Sequence, residues 1–245
     1  MSPHHLATAA AALLASATVC ALPVHNWAEV TAAPAQINVV VPDGPADAMN
    51  GARVTVSFSD GSSDTALFVG RDAGPNFLSV AQTPAFALVA QSSGSTASFP
   101  SFTISNTDGA RTLVGFQIDG RGDGNGSAAF DRGFVGSTRP STAGSSTGVD
   151  LSLDFRDRSF LTGSVDVTYS RPLGLAGAAP VGDLFGTVAV QMQLSRVLGL
   201  PPNSNLSFIN FSTDVDAVQY AAVPEPGTWA LMAAGVGLLA WRRRR

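Results

Sequence analysis

Through much of the chain, apolar and polar residues alternate with a period of two rather than 3.6. Val149, Leu151, Leu153 and Phe155 alternate with Asp150, Ser152 and Asp154, and Val165, Val167 and Tyr169 repeat the pattern. Residues two apart line one face of a strand, so these segments predict half-buried β-strands and not helices. Similar runs are Ile37–Val41, Arg53–Phe58, Thr65–Val69, Phe102–Ser105, Thr112–Asp119, Leu184–Leu194, Leu206–Phe211 and Val215–Ala221. Asp60-Gly61 predicts a hairpin connection, and Asn106-Thr107-Asp108-Gly109 has the composition of a turn joining two strands. About ten strands between Gly, Asp, Ser and Pro punctuation predict an all-β, antiparallel β-sandwich, of which a jelly-roll-like arrangement is one form. Fourteen Phe, most of them in these runs, supply the core.

Both ends break the pattern. Leu6 to Val19 is apolar, Ala-rich and uncharged, and runs into Val19-Cys20-Ala21. Small or modest residues at Val19 and Ala21 fit the positions a signal peptidase reads, so residues 1–21 predict a signal peptide cut after Ala21. Cys20 raises lipidation as an alternative, but a lipidated Cys follows a small residue and here Val19 precedes it. At the other end, Val223-Pro224-Glu225-Pro226-Gly227 leads into an apolar run, Thr228 to Trp241, and then Arg242, Arg243, Arg244 and Arg245. The two prolines hold the chain extended, Trp229 and Trp241 bracket the apolar run as interfacial anchors, and the Arg cluster stays cytoplasmic. The organisation expected is residues 1–21 as signal peptide, 22–222 as a β-sandwich ectodomain and 223–245 as a tail with one short transmembrane helix.

That tail resembles the PEP-CTERM sorting signal of exported proteins in Gram-negative bacteria: a Pro-Glu-Pro motif, a short membrane helix and a terminal Arg cluster, in that order. The resemblance implies an exosortase substrate. Exosortase, a transpeptidase-like membrane enzyme, would cut near Pro224-Glu225-Pro226 and pass the body to the cell surface or extracellular matrix. It further implies export through the Sec machinery and signal peptidase, transient anchoring in the inner membrane, and association with exopolysaccharide and biofilm.

Charge and composition then narrow the chemistry. The formal net charge is −4 with a pI near 5.2, without the basic footprint nucleic-acid binding requires. All 14 basic residues are Arg, and losing the four at the C-terminus takes the charge from −4 to −8. The single Cys leaves with the signal peptide, and with it thiol and disulfide chemistry. Of the three His, His4 and His5 leave as well, and His25 falls near the start of the mature chain, where segments are expected to be mobile. There is no Lys, and Glu29 is the only Glu of the body. A Ser-His-Asp or Cys-His arrangement and a His/Cys zinc site lack their residues, so a non-catalytic protein is expected.

Oxygen ligands remain. Asp119, Asp123, Asn125 and Asp131 surround a Gly-rich loop. Asp123, Asn125, Ser127 and Asp131 follow the alternate spacing of a Ca²⁺ loop. Ala128 and Phe134 stand where such a loop needs Gly and a bidentate Glu, and the competing reading is a glycine-rich turn. Asp183, Asp214 and Asp216 form a second acidic group, either cation ligands or ordinary strand-end residues. Three functions stay open: a non-catalytic surface or matrix protein, a carbohydrate-binding β-sandwich with Trp27, Tyr169 and Tyr220 as aromatic platforms, and an Asp-dependent glycoside hydrolase.

Overall fold

The computed structural model describes residues 22–30, 32–41, 46–73, 76–93, 100–122, 126–133, 148–155, 161–175, 177, 183–194, 200–202 and 207–220. Among them the fold is all-β, with one 3₁₀ turn at Ala46–Met49. The strands are β1 (Val24–Glu29), β2 (Ala35–Val41), β3 (Arg53–Phe58), β4 (Ser63–Leu67), β5 (Val69–Ala73), β6 (Asn76–Gln82), β7 (Phe86–Ser93), β8 (Ser101–Asn106), β9 (Leu113–Asp119), β10 (Ala128–Asp131), β11 (Ser152–Asp154), β12 (Gly163–Leu175), β13 (Leu184–Leu194), β14 (Phe208–Ser212) and β15 (Asp214–Tyr220). The nine-stranded sheet runs β1-β12-β2-β15-β10-β13-β9-β3-β4, and the six-stranded sheet runs β11-β14-β8-β7-β6-β5.

The period-two reading locates most of these strands. The predicted β3 and β13 coincide with the observed ones, and the Asp60-Gly61 turn forms, with Asp60 Oδ1 accepting from Ser62 N at 2.9 Å and Gly61 at φ 82°. In the Asn106–Gly109 turn, Asn106 Oδ1 accepts from Asp108 N at 3.0 Å. Two predicted strands are cut. The Thr65–Val69 run breaks at Phe68, whose side chain turns into the core as the chain passes from one sheet to the other. Val149–Phe155 shortens to β11, because Leu151 bonds to side chains and not to a strand. β1, β6, β7 and β10 were not expected.

The two sheets enclose one core, including Val54, Val56, Phe58, Phe86, Phe102, Phe116, Phe130, Val190 and Phe211. Phe102 and Phe211 stack at 4.7 Å between centroids, and Phe116 meets Phe211 at 5.2 Å. These are the offset and tilted arrangements aromatic pairs favour.

The nine-stranded sheet also closes on itself. β12 pairs with β13, β13 with β10, β10 with β15, β15 with β2, and β2 returns to β12. Each of the five strands sends one residue into a second core of Ile37, Ala129, Leu173, Leu184 and Val218. Asp131 lies two residues beyond Ala129, and Asp214 and Asp216 precede Val218 at the same period. The strand alternation therefore carries these buried acids to the ring side, while Phe130 and Val215 face the sandwich core. β12 kinks at Arg171 (φ 59°), between Tyr169, its last partner to β1, and Leu173, its first to β2.

Candidate functional site at the seam between the sheets

β1 runs parallel to β12 at one edge of the nine-stranded sheet. Its alternation places His25, Trp27 and Glu29 on one face and Val24, Asn26 and Ala28 on the other. The first face meets β11, the edge strand of the six-stranded sheet.

No strand pairs with the outer side of β11 among the described residues; side chains of the other sheet take its place. Leu151 N donates to the Tyr169 hydroxyl at 2.6 Å. Trp27 Nε1 donates to Leu151 O at 2.9 Å, and Leu153 N donates to His25 Nε2 at 3.0 Å. Three backbone groups of an open edge are thus satisfied by an indole, a phenol and an imidazole, which also blocks pairing with another chain. The His25 ring stacks on Trp27 at 5.7 Å and tilts against Phe155 at 5.8 Å. Accepting through Nε2 places the imidazole proton on Nδ1 and requires the neutral ring. Burial lowers its pKa in the same direction. Burial pushes the Tyr169 phenol up, so it serves as a neutral hydrogen-bonding group.

Arg132 ties the seam to the ring. Its Nη1 lies 2.6 Å from Glu29 Oε1, its Nε 3.2 Å from Asp150 Oδ1, and its guanidinium 5.5 Å from the Tyr169 ring centroid. An open cavity of about 370 Å³ sits beside this cluster, lined by Leu22, Pro23, His25, Ser152, Leu153, Asp154, Phe155 and Ser212.

His25 is therefore not on a loose leading segment, as its position suggested. It is half-buried in a strand with a hydrogen bond and two ring contacts. The overlooked signal was its i, i+2 spacing from Trp27, the same period that identified the other strands. Of the three aromatic platforms, Trp27 is 40% exposed, Tyr169 is fully buried, and the Tyr220 hydroxyl donates to Ala128 O at 2.9 Å. Only Trp27 offers an open ring surface.

Of the Gly-rich loop's acids, the described Asp119 and Asp131 are held by different neighbours. Asp119 Oδ1 lies 2.7 Å from Arg171 Nη1 and accepts from Arg121 N at 3.1 Å. Asp131 is buried on the ring side, opposite Asp214 in register. The Ser127 hydroxyl is directed at Ala48 O, 3.4 Å away. Asp123 and Asn125 lie outside the described residues. Asp183, Asp214 and Asp216 are buried too, each engaged by neighbouring groups. Among the described residues, no three of His, Cys, Asp and Glu are grouped to hold a metal ion.

Val19 and Ala21, and Val223 to Gly227 with Trp229, Trp241 and Arg242 to Arg245, also lie outside the described residues. Comparison with known families bears on the second set: residues 222–245 match the PEP-CTERM protein-sorting motif. No curated protein and no solved structure matches the chain. The all-β body thus precedes a PEP-CTERM sorting signal, the address of an exported, membrane-anchored precursor that exosortase processes.

Proposed function

We propose that the body is a non-catalytic surface or extracellular-matrix protein that associates with exopolysaccharide once exosortase has released it from its anchor. The sorting motif at residues 222–245 carries this reading. The residue inventory supports it: outside the two ends the chain has one His, one Glu, no Cys and no Lys. The one His is occupied as a hydrogen-bond acceptor for backbone, and four Asp are buried. That leaves little for general acid–base work.

Cell fractionation tests it. In cells lacking exosortase, the uncut chain should accumulate in the inner membrane; in cells with the enzyme, the shortened body should co-purify with the polysaccharide matrix. Unchanged size and location in the two strains would overturn the sorting step. A released body that washes freely from the matrix would overturn the association.

A further inference from the structure

We propose that the end of the ring where β15 stops, which carries Arg53, Arg121 and Arg171, docks on anionic phospholipid headgroups while the chain is still anchored. The inference rests on the sorting motif and is independent of the exopolysaccharide reading.

The covalent chain limits how far this end can stand from the membrane. β15 ends at Tyr220, and the first proline of the motif is Pro224. Consecutive residues advance at most about 3.6 Å, so Pro224 lies within about 14 Å of Tyr220, and Thr228, where the apolar run starts, within about 29 Å. The strand itself is fixed: β15 pairs with β10 and β2, and the Tyr220 hydroxyl donates to Ala128 O at 2.9 Å. The headgroup layer fills about 5–7 Å of the distance that is left. A patch tethered this close meets the lipid surface at an effective concentration that a free protein does not reach.

The groups gathered at this end suit phosphate. The Arg121 guanidinium lies over the Tyr220 ring, 5.5 Å from its centroid. A side chain on Gly186 would meet the Tyr220 hydroxyl at 3.4 Å and the Arg171 carbonyl at 3.5 Å, so those two groups are neighbours. Arg53 pairs with Asp119 in register, and Asp119 Oδ1 lies 2.7 Å from Arg171 Nη1. Val54 and Ile118 point into the core, which turns Arg53 and Asp119 to the outside of the sheet. Among the described residues, Asp119 is the one carboxylate paired with any of the three Arg. Asp123 of the same turn lies outside the described residues; counted as well, it still leaves three cations against two acids. The Arg171 side chain is 41% exposed, and its backbone holds φ 59°, a conformation glycine adopts far more readily. Guanidinium groups bind phosphate oxygens through paired hydrogen bonds.

The charge of the body gives this docking a natural end. Loss of the terminal Arg takes the formal charge from −4 to −8, which an anionic surface repels. The tether offsets that repulsion until exosortase cuts it; the freed body then leaves. Docking meanwhile holds Pro224-Glu225-Pro226 near headgroup depth, within reach of a membrane enzyme.

Lipid quenching on the full chain reconstituted in vesicles tests this. Cys20→Ser removes the only thiol, and a fluorophore is attached at Gln117→Cys, exposed two residues before Asp119, or at Ser59→Cys, beyond the opposite end of β3. The vesicles carry a headgroup quencher in phosphatidylcholine alone or mixed with phosphatidylglycerol. Phosphatidylglycerol should raise quenching at position 117 and leave position 59 unchanged. About 0.5 M salt, which shortens screening to about 4 Å, should remove the increase. Arg53→Gln and Arg121→Gln should each weaken docking about fivefold. Should either variant fail to fold, the salt series on the chain with both Arg decides. Equal quenching in the two lipids, an increase that survives salt or the Arg changes, or an increase at position 59 instead would overturn docking through this patch. The sorting step has its own test in the fractionation above, so the two can fail separately.

Discussion

The two flanks of the sandwich are closed in different ways. On one flank the nine-stranded sheet ends at β4 and the six-stranded sheet at β5, and the chain joins these edges directly through Phe68. Phe68 is 1% exposed; its N–H donates to Ala52 O at 2.8 Å, and its carbonyl accepts from Gly51 N at 2.9 Å. On the opposite flank the edges are β1 and β11, and the Trp27–Leu151 bond spans 124 residues of sequence. There the chain crosses one strand in, from β14 to β15 through Thr213, and among the described residues the side chains of His25, Trp27, Tyr169 and Arg132 join the edges themselves. A covalent corner needs only one inward side chain and ordinary backbone bonds. A seam of side chains holds only while each keeps its donor or acceptor state, so it is the flank that solution conditions can reach.

The largest expected effect lies at the corner. Phe68→Ala leaves a cavity where the two sheets meet and should cost about 3–5 kcal/mol in urea unfolding. A loss under about 1 kcal/mol would mean that backbone bonds alone hold that flank. At the seam, Tyr169→Phe keeps the ring and removes the acceptor of Leu151 N–H. A buried donor left without its partner costs about 1–3 kcal/mol. Hydrogen exchange sharpens the contrast: the Leu151 amide should exchange faster in Tyr169→Phe, while the Phe68 amide keeps its protection. Equal acceleration at both would show that the flanks open as one unit.

The sequence revealed the corner and the seam to different degrees, for physical reasons. Period-two alternation is local, so β3 and β13 were readable residue by residue. The same rule found the apolar run containing Phe68 but not its break, because an inward turn between two sheets leaves the run continuous. β6 and β7 carry apolar residues on both faces, as in Val80-Ala81 and Leu88-Val89-Ala90, and lack the alternation that marks a half-wet strand. β1 was missed because proximity to the expected cleavage site outweighed its own period. The ring was beyond reach, since its closure depends on the parallel pairing of β12 with β2 across more than a hundred residues. The sorting tail was the opposite case: its three parts are consecutive, so order alone identified it. For the candidate site, Ser152 and Asp154 were visible as the polar side of an alternating strand, but their alignment with Ser212 and Asn210 is a matter of register.

The smallest effect expected is also the one that distinguishes the flanks most cleanly. His25 must be neutral for Nε2 to accept from Leu153 N–H, and burial lowers its pKa below the ordinary value near 6.5. The unfolded chain therefore takes up the proton first as pH falls. The contribution of His25 is complete above about pH 6.5 and is lost progressively below it, toward and through the lower folded value. His4 and His5 lie in the predicted signal segment, so His25 is the one side chain of the body whose ordinary titration falls between about pH 5 and 8. Urea midpoints measured from pH 8 down to 5 should fall more steeply in the native chain than in His25→Phe, which retains an aromatic ring but cannot titrate. Over the same range the Leu153 amide should lose exchange protection before the Phe68 amide does. Parallel slopes in the two proteins would mean that the imidazole contributes packing alone, and that the seam is no more sensitive to acid than the corner.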